Sequence, residues 1–260
     1  MSEASKPKRH FIVPDTQCRS GVPLDHLDWC ARAIVEYRPD RVIHLGDHYD
    51  FPSLSKYESP GSAFMEGKRV HEDIAVGNEA FARLAAPMQQ EIARSKRTKK
   101  PWTPDCHFLL GNHENRITRA ALENPKLAGF LTLDALKVPA PFVTHPYLEI
   151  VDLDGVAYSH FFSSFHSGKP LSGSVESRIN RIGRSFWQGH QQGFRYSVVE
   201  YPGGIRRHGG VSGSFYQHKE SYRDAQSHGE WVGVCVLNEV KAGDFCVMPL
   251  SLDFLRRRFS

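Results

Sequence analysis

Apolar residues fall into short runs of two periods along this chain, and several runs end in polar residues able to do chemistry. Residues 10–14 (HFIVP) predict a strand that stops at Asp15. Leu24, Leu27, Ala31, Ile34 and Val35 recur at helical spacing, which predicts a helix over 24–37 closed by Pro39. Residues 41–45 (RVIHL) read as the next strand and run into Gly46 and Asp47. Strand, helix and strand in this order make a βαβ unit with parallel pairing and a right-handed crossover.

Residues 51–67, rich in Ser, Pro and Gly, predict an irregular loop. Ile74, Phe81, Leu84, Met88 and Ile92 mark a long amphipathic helix, which Pro87 is expected to kink. Residues 106–110 (CHFLL) form a third strand. The stretch 115–146 is helical and then proline-rich, and reads as an insertion. Residues 147–153 and 156–159 alternate about Asp154-Gly155, a hairpin turn. Residues 161–173 read as a loop. Val175, Ile179, Ile182 and Phe186 form a helical stripe, with Arg178, Arg181 and Arg184 sharing another face. Residues 185–188 are a last core strand, and 196–201, 231–237 and 245–250 are β-like. The span 203–229, rich in Gly, His and Ser, is expected to be a mobile loop.

Composition narrows the class. With 260 residues, 40% hydrophobic and 24% charged, the chain has enough material for one full core. No apolar run approaches membrane-spanning length, and residues 1–9 lack the apolar centre of a signal peptide, so a cytoplasmic protein with no membrane partner is expected. The five cysteines form no C-x-x-C pair, which argues against a disulfide framework and a thiolate zinc site. A net charge of +4 is only mildly basic. Basic runs at 94–100 (RSKRTKK) and 256–258 (RRR) suit either solvated segments or a phosphate-bearing partner.

Five polar motifs follow apolar or β-like runs: Asp15-Thr16-Gln17, Gly46-Asp47-His48-Tyr49-Asp50, Gly111-Asn112-His113-Glu114, the lone His160, and Gly189-His190-Gln191-Gln192. Strand ends are where open α/β sheets carry their chemistry. A pair of divalent cations needs a bridging carboxylate, terminal ligands and open positions for water and substrate. Asp47 suits the bridge, Asn112 offers an amide oxygen, and His160 and His190 offer imidazoles. Such an N/O mixture suits Mn, Fe, Zn or Ni better than Ca.

These residues resemble the calcineurin-like metallophosphoesterase superfamily, whose pattern is D-x-H, G-D-x-x-D, G-N-H-D/E, a lone His and G-H-x-H. The resemblance covers about two thirds of the chain, from Asp15 to Gln192. It implies a four-layered α/β/β/α sandwich of two mixed β-sheets, here one domain over 1–260 with helical insertions near 52–104 and 115–146. It also implies a dinuclear site. Asp47 would bridge; Asn112, His160 and His190 would complete the second metal, and Asp15, Gln17 and Gln192 the first. His113 would be the general acid, with Asp50 orienting it or a neighbour. A metal-bound hydroxide would attack phosphorus in line.

Gln17 and Gln192 stand where histidines are usual. They either ligate through amide oxygens or leave those places to water. The first site is then the weaker one, preferring Mn or Mg. Phe51, where the family's protein phosphatases have arginine, speaks against that substrate class, and the missing histidine at position 17 departs from its nucleases. Phosphomono- or phosphodiesters, including nucleotides or nucleic acid, are left. The competing reading is a nucleic-acid-binding or scaffolding protein on a weakened phosphoesterase fold. His48 and Arg116 are candidate substrate contacts weighed against structural roles. Phe161, Phe162 and Phe165 are weighed as base-stacking residues against core packing. His166, His208, His218 and His228 are expected at the surface. Nothing in the sequence indicates the oligomeric state.

Overall fold

Two mixed sheets face each other across an apolar seam, and helices cover both outer faces. The computed structural model describes residues 6–56, 61–218 and 231–260. In chain order the elements are β1 (Lys8–Val13), α1 (Asp25–Tyr37), β2 (Arg41–His44), α2 (Val70–Ser95), β3 (Asp105–Leu109), α3 (Asn115–Glu123), β4 (Phe142–His145), β5 (Val151–Leu153), β6 (Val156–Ser159), α4 (Val175–Ile182), β7 (Ser185–Gln188), β8 (Phe194–Tyr201), β9 (Ile205–Ser212), β10 (Gly233–Lys241), β11 (Asp244–Ser251) and α5 (Leu252–Phe259).

Among the described residues one sheet has six strands in the order β11-β10-β1-β2-β3-β4 and the other five in the order β5-β6-β7-β9-β8. Strands β1 to β4 are parallel, as expected of the first βαβ unit, while β10 and β11 are antiparallel. In the second sheet β6, β7 and β9 are parallel, and β5 and β8 close its edges antiparallel. The seam between the sheets is built from alternate residues of facing strands: Ile12, Ile43 and Leu109 from one, Val156, Tyr158 and Trp187 from the other. The opposite faces carry the helices. Phe11, Val42 and Phe108 pack under α1 and α2 through Ile34, Phe81 and Leu84. Ala157, Phe186 and Val211 pack under Val175 and Ile179 of α4. The result is the expected α/β/β/α sandwich.

Several elements differ from expectation. Helix α2 continues unbroken through Pro87, from Val70 to Ser95. The span 52–104, expected as a helical insertion, supplies α2 and with it part of the main core. The span 115–146 is not only insertion, because its proline-rich end forms β4, which pairs with β3 and extends the sheet. Residues 205–212, expected in a loop, form β9 inside the second sheet. Gly209 and Gly210 explain both the strand and its loop-like sequence: a Cβ on either would come within 2.8 Å of the Phe186 or Trp187 ring. The rest of that span lies in part outside the described residues, as does His228. Helix α5 was not foreseen. Arg178, Arg181 and Arg184 form no common row: Arg178 is buried, and Arg184, beyond the end of α4 at Gly183, pairs with Asp152. Of the other histidines, His208 is buried and hydrogen-bonded to Tyr196 and Asp244, whereas His166 is exposed.

The hairpin about Asp154-Gly155 forms as predicted, with φ of 54° and 87° at its two central residues. Four of the cysteines are buried and all five are free thiols. No described helix is long and apolar enough to cross a membrane.

Candidate metal centre

The candidate ligands come from the C-terminal ends of five strands. Strands β1, β2 and β3 of one sheet run in parallel and stop just before Asp15, Asp47 and Asn112. Strands β6 and β7 of the other stop just before His160 and His190. Because the sheets face each other, the five ends meet at one edge. One ligand atom each from Asp47, His160 and His190 lies within 4.8 Å of the others. Asn112 Oδ1 sits between the rings, 2.9 Å from His160 Nε2 and 2.7 Å from His190 Nδ1.

The backbone supports this convergence at some cost. Gln17, Asp47, Phe51 and His190 all have positive φ. Non-glycine residues there carry roughly 1–3 kcal/mol of strain each, and such strain clusters at functional sites. Gly111 and Gly189 are required by close approach instead: a Cβ on Gly111 would stand 2.2 Å from Asp47 Oδ1, and one on Gly189 would stand 2.5 Å from Asp15 Oδ1.

The hydrogen bonds orient the rings for a cation. His160 Nδ1–H donates to the Leu45 carbonyl at 2.7 Å, which leaves Nε2 facing Asp47 Oδ2 at 3.3 Å. An imidazole fixed this way presents its second nitrogen to a metal. Asp15 Oδ1 accepts the His190 backbone N–H, while Asp15 Oδ2 is buried without a partner among the described residues. A buried carboxylate oxygen with nothing to bind is costly unless a cation meets it. This orphan oxygen, the clustered N/O donors and the shared amide oxygen together fit a divalent metal.

The electrostatics have the same character. Burial pushes the Asp15 carboxyl up to about 7, with the neighbouring Asp47 adding to the effect. Burial also disfavours ionised Asp47, but His113 and His160 outweigh it and hold that carboxyl well below the usual range. The same pairing lifts His160 to about 9 against its own burial. Burial and the nearby His160 lower His190 to about 4. The pocket thus concentrates carboxylates and imidazoles that compete for protons, as a metal-ligand set does when no cation is bound.

His113 and Asp50 lie beside this cluster. His113 Nδ1 is 3.0 Å from Asp50 Oδ1 and 2.8 Å from the Asp50 carbonyl, and its Nε2 is 3.7 Å from Asp47 Oδ2. Burial opposes the charged ring, yet Asp47 and Asp50 move His113 upward overall. Arg19 Nη1 holds the other Asp50 oxygen at 3.2 Å. Gln17 is tied in through its backbone, whose N–H donates to the Asp47 carbonyl at 2.8 Å. Gln192 follows His190 in the partly buried loop after β7.

For His48 and Arg116, weighed as substrate contacts against structural roles, the geometry favours the structural role. His48 is fully buried and turned into the core, with its ring against Phe81 and its nitrogens near Thr16 Oγ1 and the Gly77 carbonyl. Arg116 is buried too. Its guanidinium donates to the Asp50 and Phe51 carbonyls and stands 3.0 Å from His113 Nε2. It clamps the second motif to the third and does not face solvent.

Sequence reasoning gave no role to Glu114. This residue has no exposure, and its carboxylate accepts four backbone N–H groups, from Asp47, His48, Tyr49 and Gly111. It fixes the loops that carry Asp47 and Asn112. The signal was its place in the motif, but four donors to one carboxylate cannot be read from spacing.

No family model matches the chain, and no curated protein matches it. Among solved structures the chain is similar to Yfce, a phosphoesterase from E. coli, at 11% sequence identity and a TM-score of 0.39, over 94% of this chain and 99% of that one.

Proposed function

We propose that this chain is a metal-dependent phosphoesterase acting on phosphomono- or phosphodiesters. The observation that carries the reading is the meeting of Asp47, His160 and His190 within 4.8 Å, around the Asn112 amide oxygen and beside the orphan oxygen of Asp15. Asp47, Asn112, His160 and His190 would hold one cation. Asp15, sharing Asp47, would hold a second, with Gln17 and Gln192 as its amide donors. Bound divalent cations supply a lowered pKa to water and neutralise phosphoryl oxygens. Manganese suits this oxygen-rich set best, with Mg, Fe, Zn or Ni as substitutes.

The chain's own residues supply orientation and a proton. Asp50 holds His113 by Nδ1, so Nε2 is the nitrogen turned toward Asp47 and the reacting region. An arginine only donates, so Arg116, 3.0 Å from His113 Nε2, can bond that nitrogen only while the ring is neutral, whereas Asp47 and Asp50 favour the charged ring. Loading His113 with the proton it gives the leaving group therefore requires the Arg116 guanidinium to withdraw from Nε2. General-acid catalysis of this kind contributes about 10²–10⁴-fold.

The test is metal analysis of the purified protein, followed by hydrolysis of p-nitrophenyl phosphate and bis(p-nitrophenyl) phosphate with added Mn²⁺. Turnover that depends on metal is expected, and His113→Ala should lose more rate on a poor leaving group than on nitrophenol. No turnover with any divalent metal refutes the reading and favours a nucleic-acid-binding or scaffolding role.

A further inference from the structure

A cavity of about 710 Å³ opens on the outer side of the second sheet, next to the candidate metal centre. The two share a wall. Phe161 lines the cavity, and its ring centroid lies 4.8 Å from that of His190. Volumes of this size suit small organic ligands.

The lining has two chemical characters. Ile150, Phe162, Leu171 and Ile182 give it an apolar surface, and Phe165 stands at its mouth with 98% of its surface exposed. Its ring is open to solvent and so is available as a contact face beside the apolar lining. The loop that presents it is ordered by its own backbone. Ser163 bridges Pro170, Ser164 N–H donates to the Lys169 carbonyl, Gly168 N–H to Ser164, and Leu171 N–H to Phe162. Phe165 and His166 therefore sit at the tip of a pre-formed hairpin, with their ring centroids 5.7 Å apart. A loop held this way loses little entropy when a ligand arrives.

The charge on the lining is uneven. Arg184 is neutralised by Asp152. Arg181 is different: its Nη1 donates to the Ser172 carbonyl, and it has no carboxylate partner among the described residues. Arg178, three residues earlier on α4, is buried against Gln191 and likewise faces no carboxylate among the described residues. The cavity thus joins an exposed aromatic face to an uncompensated cation, and both adjoin a centre suited to phosphate esters.

We infer that this cavity binds a nucleotide, with the base stacked on Phe165 and a phosphate held by Arg181. Aromatic faces stack on any base, and arginine holds phosphate through its paired N–H groups. In turnover the site would hold the nucleotide next to the phosphate that reaches the metals. That placement rests on the phosphoesterase reading, whereas the binding itself does not.

The test is calorimetric titration of the full-length protein with the methylene phosphonate isostere of AMP, which has no ester bond to cleave, and with adenosine. The wild type should bind the phosphonate more tightly than adenosine. Phe165→Ala should weaken both by about tenfold, the order expected for one lost stacking contact. Arg181→Ala should remove the difference between them. Leu122→Ala, at an exposed position on α3, serves as the control and should bind both as the wild type does. No binding of the phosphonate at millimolar concentration, or an effect of only one of the two variants or of neither, overturns the inference. Hydrolysis of bis(p-nitrophenyl) phosphate by the wild type is measured in parallel. If the ester is not cleaved but the phosphonate binds as described, the phosphoesterase reading fails and the nucleotide site stands. If the ester is cleaved and binding is absent, the reverse holds.

Discussion

Glu114 Oε2 accepts the backbone N–H of Asp47 at 2.9 Å, so the residue that follows the His113 candidate acid also fixes the candidate bridging ligand. The same oxygen takes Gly111 N–H at 2.7 Å, and Oε1 takes His48 and Tyr49 at 2.7 and 2.9 Å. Glu114→Gln keeps the size of the side chain but turns one oxygen into a donor that meets two donors. Each buried unmet group costs about 1–3 kcal/mol, so a loss of at least roughly 2 kcal/mol is expected. Urea unfolding of the metal-free protein measures it. A variant as stable as the wild type would show that these four bonds hold nothing in place.

Gly111 faces Asp47 from the other side. Its missing side chain leaves room for the Asp47 backbone nitrogen and carboxylate, at 2.4 and 2.2 Å from where a Cβ would lie. Neither is a flexible end that can swing away, so Gly111→Ala must displace the Asp47 carboxylate. Metal content by elemental analysis should fall sharply while the protein remains folded by circular dichroism. Retained metal at the wild-type level would mean that Asp47 is not a ligand.

How far the sequence showed this centre depends on what each residue does. Asp47, Asn112, His160 and His190 were legible because each closes a strand with a side chain able to ligate, and parallel strands carry such ends to one edge. His48 stayed open between a substrate contact and a structural role because spacing does not record which way a turn residue faces: Asp47 turns to the edge, and His48 turns into the core against Phe81. Strand β9 was hidden because Gly209 and Gly210, which read as loop, make room for Trp187 and Phe186 across the sheet. Glu114 and Arg116 act on backbone atoms of the second motif and of Phe51 just after it, 65–67 positions earlier in the chain, and no local pattern records such a contact.

On the proposed dinuclear reading, the two metal sites should differ in affinity. A cation held by Asp47, Asn112, His160 and His190 would have two imidazoles, whereas one held on the Asp15 side would have carboxylates and the amides of Gln17 and Gln192. Amide oxygen is the weaker donor for first-row metals. Calorimetric titration with Mn²⁺ should resolve a tight and a weak step, and Gln17→His with Gln192→His should tighten the weak step alone. Two equal steps in the wild type would show that the glutamines do not define a poorer site.

A pH dependence should arise far from the centre, at the buried His10 between the sheets. Its Nδ1 is 2.7 Å from Tyr158 Oη, and its Nε2 is 3.0 Å from Asp154 Oδ2. Burial lowers its pKa from 6.5 to about 4, although Asp154 pulls the other way. Below pH 6.5 the unfolded chain takes up a proton here that the folded chain refuses until about pH 4. The unfolded state binds more protons in that window, so stability rises with pH across it and is lost as the pH falls from 6.5 toward 4. The full effect is about 3 kcal/mol, with a slope near one proton, or about 1.4 kcal/mol per pH unit. Asp154 acts lower down. Burial opposes its ionisation, but Arg41 prevails and brings it to about 2, so its contribution is lost only below the first window. His10→Gln removes the titrating group and keeps a polar side chain beside Tyr158 and Asp154. Urea unfolding between pH 4.5 and 6.5 should then show a slope of stability against pH smaller by about one proton than in the wild type. Identical slopes would show that His10 is protonated in the native seam.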